Sequence, residues 1–489
     1  MNSKILDNTL RTKTLRGVGW MTLSTISKLS MQLIFMAVLA RLLGPEVYGV
    51  LAIAMVLISF AQLISDGGLG KAIIHKQKSS DSQLSTVFYT SIAIGCCISL
   101  LISFFSSAIS DFFGHDSLKD VLKVLSVVFI IRGFTVVAES LAFKQMNFKP
   151  IAIRDFLSYF ISYAFISIPL AYLGWEVWAL VFATVSQELI KAILILNFMP
   201  HSKQIRLFNI DEIKSLFKFA GGLTLSGVFN KIATNVDTLI VGKFLTINLL
   251  GIYSRGYKLM QLPAGLFGTV ISATLFPALS SIKSDVGRTK DVHFKLIALT
   301  ATIILPFSIL MYSVSYEVVS ILLGDKWHEV GPVLQVLALG IYFRIAYKIN
   351  GEIIKSSGKV FQLTLAQIIY AFAVALGCYI GQFYGIYGVA YGVLAALGVH
   401  FFIMLYIGSK HTKLSLYNIL LAHILPILMS VCLYFILYYI QGFNFYLHSN
   451  NFLRVLMSSC FFVSILFVYL YFCKDKDEVS WLISIVKKS

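Results

Sequence analysis

Fourteen charged side chains fall inside stretches of this sequence that are otherwise apolar. Nine are the cations Lys28, Arg132, Lys191, Lys231, Arg255, Lys258, Arg344, Lys348 and Arg454; five are the acids Asp66, Glu139, Glu188, Asp237 and Glu352. On insertion scales a charged side chain at a bilayer centre costs roughly 2.5–3.5 kcal/mol, so each must snorkel, pair, or line a wet cavity. The interior excess of +4 favours an anionic passenger such as phosphate or pyrophosphate. Arg would grip it through a bidentate fork and Lys as a point charge.

Spacing separates pairing from binding in part. Arg132 and Glu139 are seven residues apart, hence on one helix face two turns apart. Glu188 and Lys191 are three apart, and Arg344, Lys348 and Glu352 form an i, i+4, i+8 stripe. All can form internal salt bridges, and Glu188, Lys191 and Glu352 lie near span ends where snorkelling suffices. Arg255 and Lys258 share a face with no acid within a helical turn. An anionic ligand or a partner on another helix would answer for them, and both readings stay open. Tyr253 and Tyr257 flank Arg255 and suit either sugar stacking or aromatic packing. Asn230, Thr234 and Asp237 share a polar face at i, i+4, i+7. The candidate substrate-binding set is therefore Arg255, Lys258, Lys28, Arg344, Lys348, Arg132 and Lys231. Asp237, Asp66 and Glu139 are candidates for coupling to a cation or proton; for Asp237 a buried structural hydrogen bond is an equal alternative.

Enzyme signatures are missing. GGLGK at 67–71 imitates a phosphate-binding loop, but the pattern needs Gly where Ser65 stands and Ser or Thr where Ala72 stands. Asp475 and Asp477 form a D-x-D triplet without a nucleotide fold around it. The nine histidines lack metal-ligand spacing. The cysteines Cys96, Cys97, Cys378, Cys432, Cys460 and Cys473 form no C-x-x-C pair, so they read as small apolar residues. The expectation is a non-enzyme with no metal and no cofactor.

The elements that must position these charges follow from composition. The 489 residues are 58% hydrophobic and 13% charged, with a mean hydropathy of +0.82, about half the charge of a soluble protein. That predicts an all-α polytopic membrane protein, because backbone groups in lipid must satisfy one another within helices. Apolar stretches predict about fourteen spans, near 18–40, 47–69, 85–110, 119–141, 154–174, 176–198, 216–240, 249–275, 292–313, 328–350, 361–383, 385–408, 417–440 and 451–473. The longest breaks, near 199–215 and 276–291, are too short for a soluble domain. The net charge of +17 resides in short loops, which argues against nucleic acid. With the N-terminus inside, 26 Lys and Arg fall on the cytoplasmic side and four, Arg41, Lys119, Lys243 and Lys326, on the other. Both termini are expected in the cytoplasm. The N-terminus does not read as a signal peptide, since Lys28 interrupts the first apolar run.

A faint repeat appears at a shift of 202 residues, which lays Arg16 on Lys218, Gly19 on Gly221, Leu23 on Leu225, Ser24 on Ser226, Arg41 on Lys243, Leu43 on Leu245 and Gly49 on Gly251. Six spans separate the copies, and an even number gives a parallel repeat, the arrangement that supports alternating access. The expected organisation is two pseudo-symmetric six-helix lobes, 1–200 and 201–408, with two further helices and a short tail in 409–489.

Several runs resemble a known family. LARLLGPEVYGVLAIA at 39–54, SDGGLGKAIIHKQ at 65–77, ESLAFKQMNFKPIAIRD at 139–155 and NVDTLIVGKFL at 235–245 are similar to the signature of polysaccharide exporters. So are LGIYSRGYKLMQLP at 250–263, LFPALSSI at 275–282 and LLGDKWHEVGPVLQVLALG at 322–340. The resemblance is to Wzx-type lipid-linked oligosaccharide flippases, the colanic-acid and teichuronic-acid exporter-like branch of the multidrug/oligosaccharidyl-lipid/polysaccharide flippases, and covers about residues 15–400. It implies two six-helix lobes facing a cationic cavity. It also implies movement of undecaprenyl-pyrophosphate-linked repeat units across the bacterial inner membrane for O-antigen, capsule or exopolysaccharide export. Implied partners are the lipid-linked oligosaccharide, membrane lipids, and a polysaccharide polymerase and chain-length regulator. Coupling to membrane potential, H+ or Na+ stays open. The alternatives are a cation-coupled multidrug exporter of the same superfamily, and a non-transporting scaffold of a glycan-assembly complex.

Overall fold

In the computed structural model, residues 25–66, 69–75, 80–145, 147–199, 229–281 and 285–472 are described. The beginnings of spans 1 and 7, most of the basic break at 199–215, and the tail with Cys473, Asp475 and Asp477 lie outside them. Among the described residues there is no strand. The helices are α1 Thr25–Leu42, α2 Pro45–Asp66, α3 Leu69–His75, α4 Asp81–Phe113, α5 Ser117–Gly133 and α6 Val136–Lys144. They continue as α7 Phe148–Tyr172, α8 Glu176–Phe198, α9 229–244, α10 Ile247–Ser281, α11 Val286–Ser313 and α12 Ser315–Leu323. The rest are α13 Val330–Ala338, α14 Gly340–Ser356, α15 Val360–Gly381, α16 Gly385–Thr412, α17 Leu416–Gln441 and α18 Asn451–Phe472.

Nine segments among the described residues are long and apolar enough to cross a membrane, or eleven if α5–α6 and α13–α14 each count as one bent span. The Phe361–Thr412 segment in that count contains two helices, α15 and α16, folded on each other. The number fourteen is thus an expectation that this criterion does not reach. Gly133 and Gly340 stand at the bends of 49° and 43°, where a residue without Cβ lets a helix break. In α18, only 6% of the most apolar window is buried. A helix so apolar and so uncovered is stable only against lipid. The chain is a multi-pass membrane protein.

Two compact units divide the chain, Met1–Gly251 and Ile252–Ser489. In the first, α4 and α5 form a long hairpin. Ser80 caps α4 by accepting from the Gln83 amide at 3.1 Å, and Gly114 ends it in the left-handed region at φ 74°. Small polar residues knit the seam: Ser91 Oγ donates to the Gly133 carbonyl at 2.8 Å, and Ser99 and Ser126 lie 3.1 Å apart. Within α7 the turn widens to a π-helix at Ser162–Ser167. Pro169 follows directly, and its missing N–H leaves the Phe165 carbonyl without the usual donor.

The starts of α2 and α10 meet in the first unit through glycine. A Cβ on Gly49 would run into the Ile247 carbonyl oxygen, and one on Gly251 into the Pro45 carbonyl oxygen. A shift of 202 residues turns one contact into the other. The faint repeat therefore has a local two-fold counterpart where these turns touch.

In the second unit, α11 packs on α17, α15 folds back on α16, and α14 lies against α11 and α16. Ile349 and Ile353 of α14 pack with Val292 and Leu296, while Leu310 of α11 and Val314 just after it meet Leu433 and Leu437 of α17. Because backbone oxygen blocks a methyl at Gly49 and Gly251, Gly49→Ala or Gly251→Ala should each destabilise the protein by ~1–3 kcal/mol. A lowered unfolding midpoint in detergent would show it. Gly44→Ala, with no atom within 4 Å of the added Cβ, should leave that midpoint unchanged.

Candidate functional site

Helix α14 carries more polar side chains than a buried apolar helix should, and several reach a neighbouring helix. Tyr342 hydrogen-bonds the His423 ring on α17. Arg344 is buried and donates through Nη1 to the Tyr257 hydroxyl on α10 at 2.9 Å, with its guanidinium 5.1 Å from the centre of that ring. Lys348, one turn on, donates to the Ala264 carbonyl of α10 at 2.9 Å. The Asn350 Oδ1 pairs with His293 Nε2 of α11 at 3.1 Å, and His293 Nδ1 meets Thr412 of α16 at 2.9 Å.

Contacts between α10 and α13–α14 advance together along both. A Cβ on Gly256 would lie 3.0 Å from Val333, Tyr257 meets Arg344, and Ala264 meets Lys348. The two elements therefore run parallel, as alternate spans of an up-and-down path must. This register places Arg255 and Lys258, both half-buried, on the helix that packs against Arg344 and Lys348. Tyr253 stacks on Tyr257 at 5.7 Å, so these rings serve packing, with Tyr257 also holding Arg344. Among the described residues, no carboxylate forms an ion pair with Arg344 or Lys348. The stripe on α14 does not pair within itself, because Glu352 takes Lys355 at 2.9 Å instead of Lys348.

The first unit closes part of its charge locally. The expected face shared by Arg132 and Glu139 does not exist, because the 49° break between α5 and α6 separates them. Glu139 instead accepts from Nη1 of Arg154 at 2.5 Å, and Arg154 also grips Asp155 through Nε at 3.0 Å and Nη2 at 2.8 Å. Arg154 reads in the sequence as a loop cation; the structure buries it within α7. Arg132 faces the Gln62 side-chain amide, whose oxygen accepts from the guanidinium. Lys191 and Glu188 form the expected pair at 2.6 Å. Lys28 on α1 and Lys231 on α9 are half-buried. Asp237 is buried, and its Oδ1 accepts from the Thr238 amide at 2.7 Å. Asp66 closes α2, and its side chain lies outside the described part. In the second unit, Arg454 caps the turn before α18, donating to the carbonyls of Tyr446 and Ser449 at 3.1 Å and Leu447 at 2.7 Å, with Glu317 at 3.8 Å.

Residues 38–332, more than half the chain, match a family described as polysaccharide biosynthesis protein. The chain belongs to that family. The lipopolysaccharide biosynthesis protein WzxC of Escherichia coli (strain K12) is 24% identical over 394 residues, covering 79% of this chain and 78% of its own. The succinoglycan biosynthesis transport protein ExoT of Rhizobium meliloti (strain 1021) is 24% identical over 332 residues, 68% of this chain and 67% of its own. Among solved structures, the lipid II flippase MurJ in an inward closed conformation superposes with a TM-score of 0.75 at 16% identity. The match covers 93% of this chain and 98% of that one, and it shows that the two share a fold. ExoT is named a transport protein and MurJ a flippase.

In the sequence the basic segment around Arg154 looks like a loop, which hides its structural role. The one signal was Asp155 beside it. Removing the arginine leaves Glu139 and Asp155 without their cation, so Arg154→Met should cost about 3 kcal/mol. Glu139→Gln should cost less. Detergent unfolding midpoints of the two variants, taken together, would check the order.

Proposed function

We propose that this protein is a flippase for undecaprenyl-pyrophosphate-linked oligosaccharide repeat units, working by alternating access in the bacterial inner membrane. The observation that carries this reading is a buried guanidinium, Arg344, held by a neutral phenol, with Lys348 one turn along and Arg255 and Lys258 on the adjoining helix. A phenol and a backbone carbonyl are partners that a phosphate can displace. A carboxylate bound to Arg344 would compete with it. The charged head would enter from the cytoplasm, where both termini lie in this reading, while the polyprenyl tail stays in lipid.

Moving one negative charge outward across an inside-negative membrane is downhill by about 2.3 kcal/mol per 100 mV. Membrane potential can therefore drive a pyrophosphate without ATP. Lys28, Arg132 and Lys231 are further candidates for contact with the passenger, and Asp237, Asp66 and Glu139 for coupling ions. Of these, Glu139 is the weakest, since Arg154 already occupies it. A cation-coupled multidrug exporter would place cationic or neutral passengers beside four positive side chains, which disfavours it.

The test is translocation of a lipid-linked oligosaccharide between leaflets of proteoliposomes. The double variant Arg255→Gln, Lys258→Gln should lose translocation by tenfold or more, on the basis of about 1.5–3 kcal/mol per charged contact, and still insert normally. Wild-type rates from that variant would remove both residues from the mechanism.

A further inference from the structure

Four turns close one end of the first unit: α1–α2, α4–α5, α7–α8 and α9–α10. In the orientation expected from the Lys and Arg count, this is the outer end. Between the turns lies a cavity of about 650 Å³, lined by residues of this unit alone. That is the size of a small-molecule site. Its floor is apolar, made by Leu43, Val50, Ala171 and Val177, all buried. Its walls are polar, and each turn or the helix start after it supplies a part: Glu46, His115 with Ser117, Glu176, and Asn248. Among the described residues, the side chains of Glu46, His115, Glu176 and Asn248 make no ion pair or hydrogen bond, so none is committed to another of these groups.

The walls are held in place. Lys243, near the end of α9, donates to the Phe112 carbonyl and sets its ammonium 4.2 Å from the centre of the Phe112 ring. That ties the α9–α10 turn to the end of α4. Glu176 stands at φ 43°, a left-handed conformation that a residue with a Cβ adopts at a cost. Glycine would take it more easily, yet the chain keeps a carboxylate there.

We propose that this cavity binds the uncharged saccharide part of the passenger at the outer end. The inference deepens the flippase reading and rests on it for the source of the sugar. Ionised carboxylates accept from sugar hydroxyls, while Asn248 and Ser117 both donate and accept. The apolar floor suits the C–H face of a pyranose ring. Two carboxylates and no Lys or Arg among the lining residues repel phosphate and acidic sugars. Among the described residues no three of His, Cys, Asp and Glu are grouped to hold a metal ion. The polar groups are thus spread as a rim of hydroxyls requires, not gathered as an ion requires. Pro45 and Ile247 also line the cavity, so an occupant touches the crossing where Gly49 and Gly251 admit the opposing carbonyls.

The test is saturation-transfer NMR on the full-length protein in lipid nanodiscs, because maltoside detergents would themselves compete. The probes are the methyl glycosides of glucose, galactose, mannose, rhamnose and N-acetylglucosamine, with glucuronate and tetraphenylphosphonium as the acidic and cationic comparisons. At least one neutral glycoside should bind, and Glu46→Gln and Glu176→Gln should each weaken it about tenfold. Glu176→Gly removes the backbone strain together with the carboxylate, so weaker binding in that variant is no folding defect. The same variants should slow translocation of a lipid-linked oligosaccharide in proteoliposomes. Glutamate-dependent binding in a protein that translocates nothing keeps the saccharide site and sinks the flippase reading. Binding of no neutral glycoside, binding of glucuronate or tetraphenylphosphonium alone, or binding and translocation that ignore all three variants overturns the proposal.

Discussion

The polar face of α14 must be satisfied away from lipid, and the second unit is arranged around that constraint. Tyr342, Arg344, Tyr347, Lys348 and Asn350 occupy little more than two turns. Each finds its partner on a different neighbour or at a different level of one: His423 on α17, Tyr257 and Ala264 on α10, His400 on α16, His293 on α11. Hydrocarbon offers none of these groups a hydrogen bond, so exposing the face would cost more than the apolar side chains around it recover. The helices that surround α14 are thereby fixed in rotation as well as in position. Isoleucines on its other face, Ile349 and Ile353, supply the apolar packing that polar contacts alone do not.

Charge is handled in two ways. In the first, Arg154 is closed by Glu139 and Asp155, and Lys191 by Glu188, so the charges cancel where they stand. In the second, Arg344 and Lys348 rest on a phenol and a carbonyl, which satisfy hydrogen bonds but leave the charge uncompensated. A cancelled pair is a fixed structural joint. An uncancelled cation with an exchangeable partner is a place where an anion gains free energy by arriving. The bend between α13 and α14 sets the polar helix off from the apolar one before it, so the site begins where the span changes direction.

How much of this was legible in the sequence differs between elements. The apolar runs mark out the helices because burying backbone in lipid demands them, and the described helices overlap those runs. Arg344 and Lys348 stood out as a pair one turn apart, and Glu188 with Lys191 paired as spacing suggests, because both relations are local to one helix. The reading of Arg132 with Glu139 failed for the same reason in reverse. It assumed one straight helix through Gly133–Phe134–Thr135, and the chain bends there. Arg154 was hidden because a basic residue near a span end looks like a loop residue, whatever it touches.

The sequence by itself determined that the chain is an all-helical membrane protein of the polysaccharide biosynthesis family, with cations in excess inside its apolar spans. The helical membrane class and the excess of cations follow from composition, run length and spacing, and the family from the resemblance of its motifs, all of which are properties of the chain. Only the tertiary structure decided which charges are cancelled and which are left on neutral partners, and that the His400 ring packs against Tyr370 and Tyr347. Those outcomes depend on which helices lie side by side and how each is rotated. Packing sets that, and it brings together residues as far apart as Tyr257 and Arg344, whose meeting no local spacing encodes.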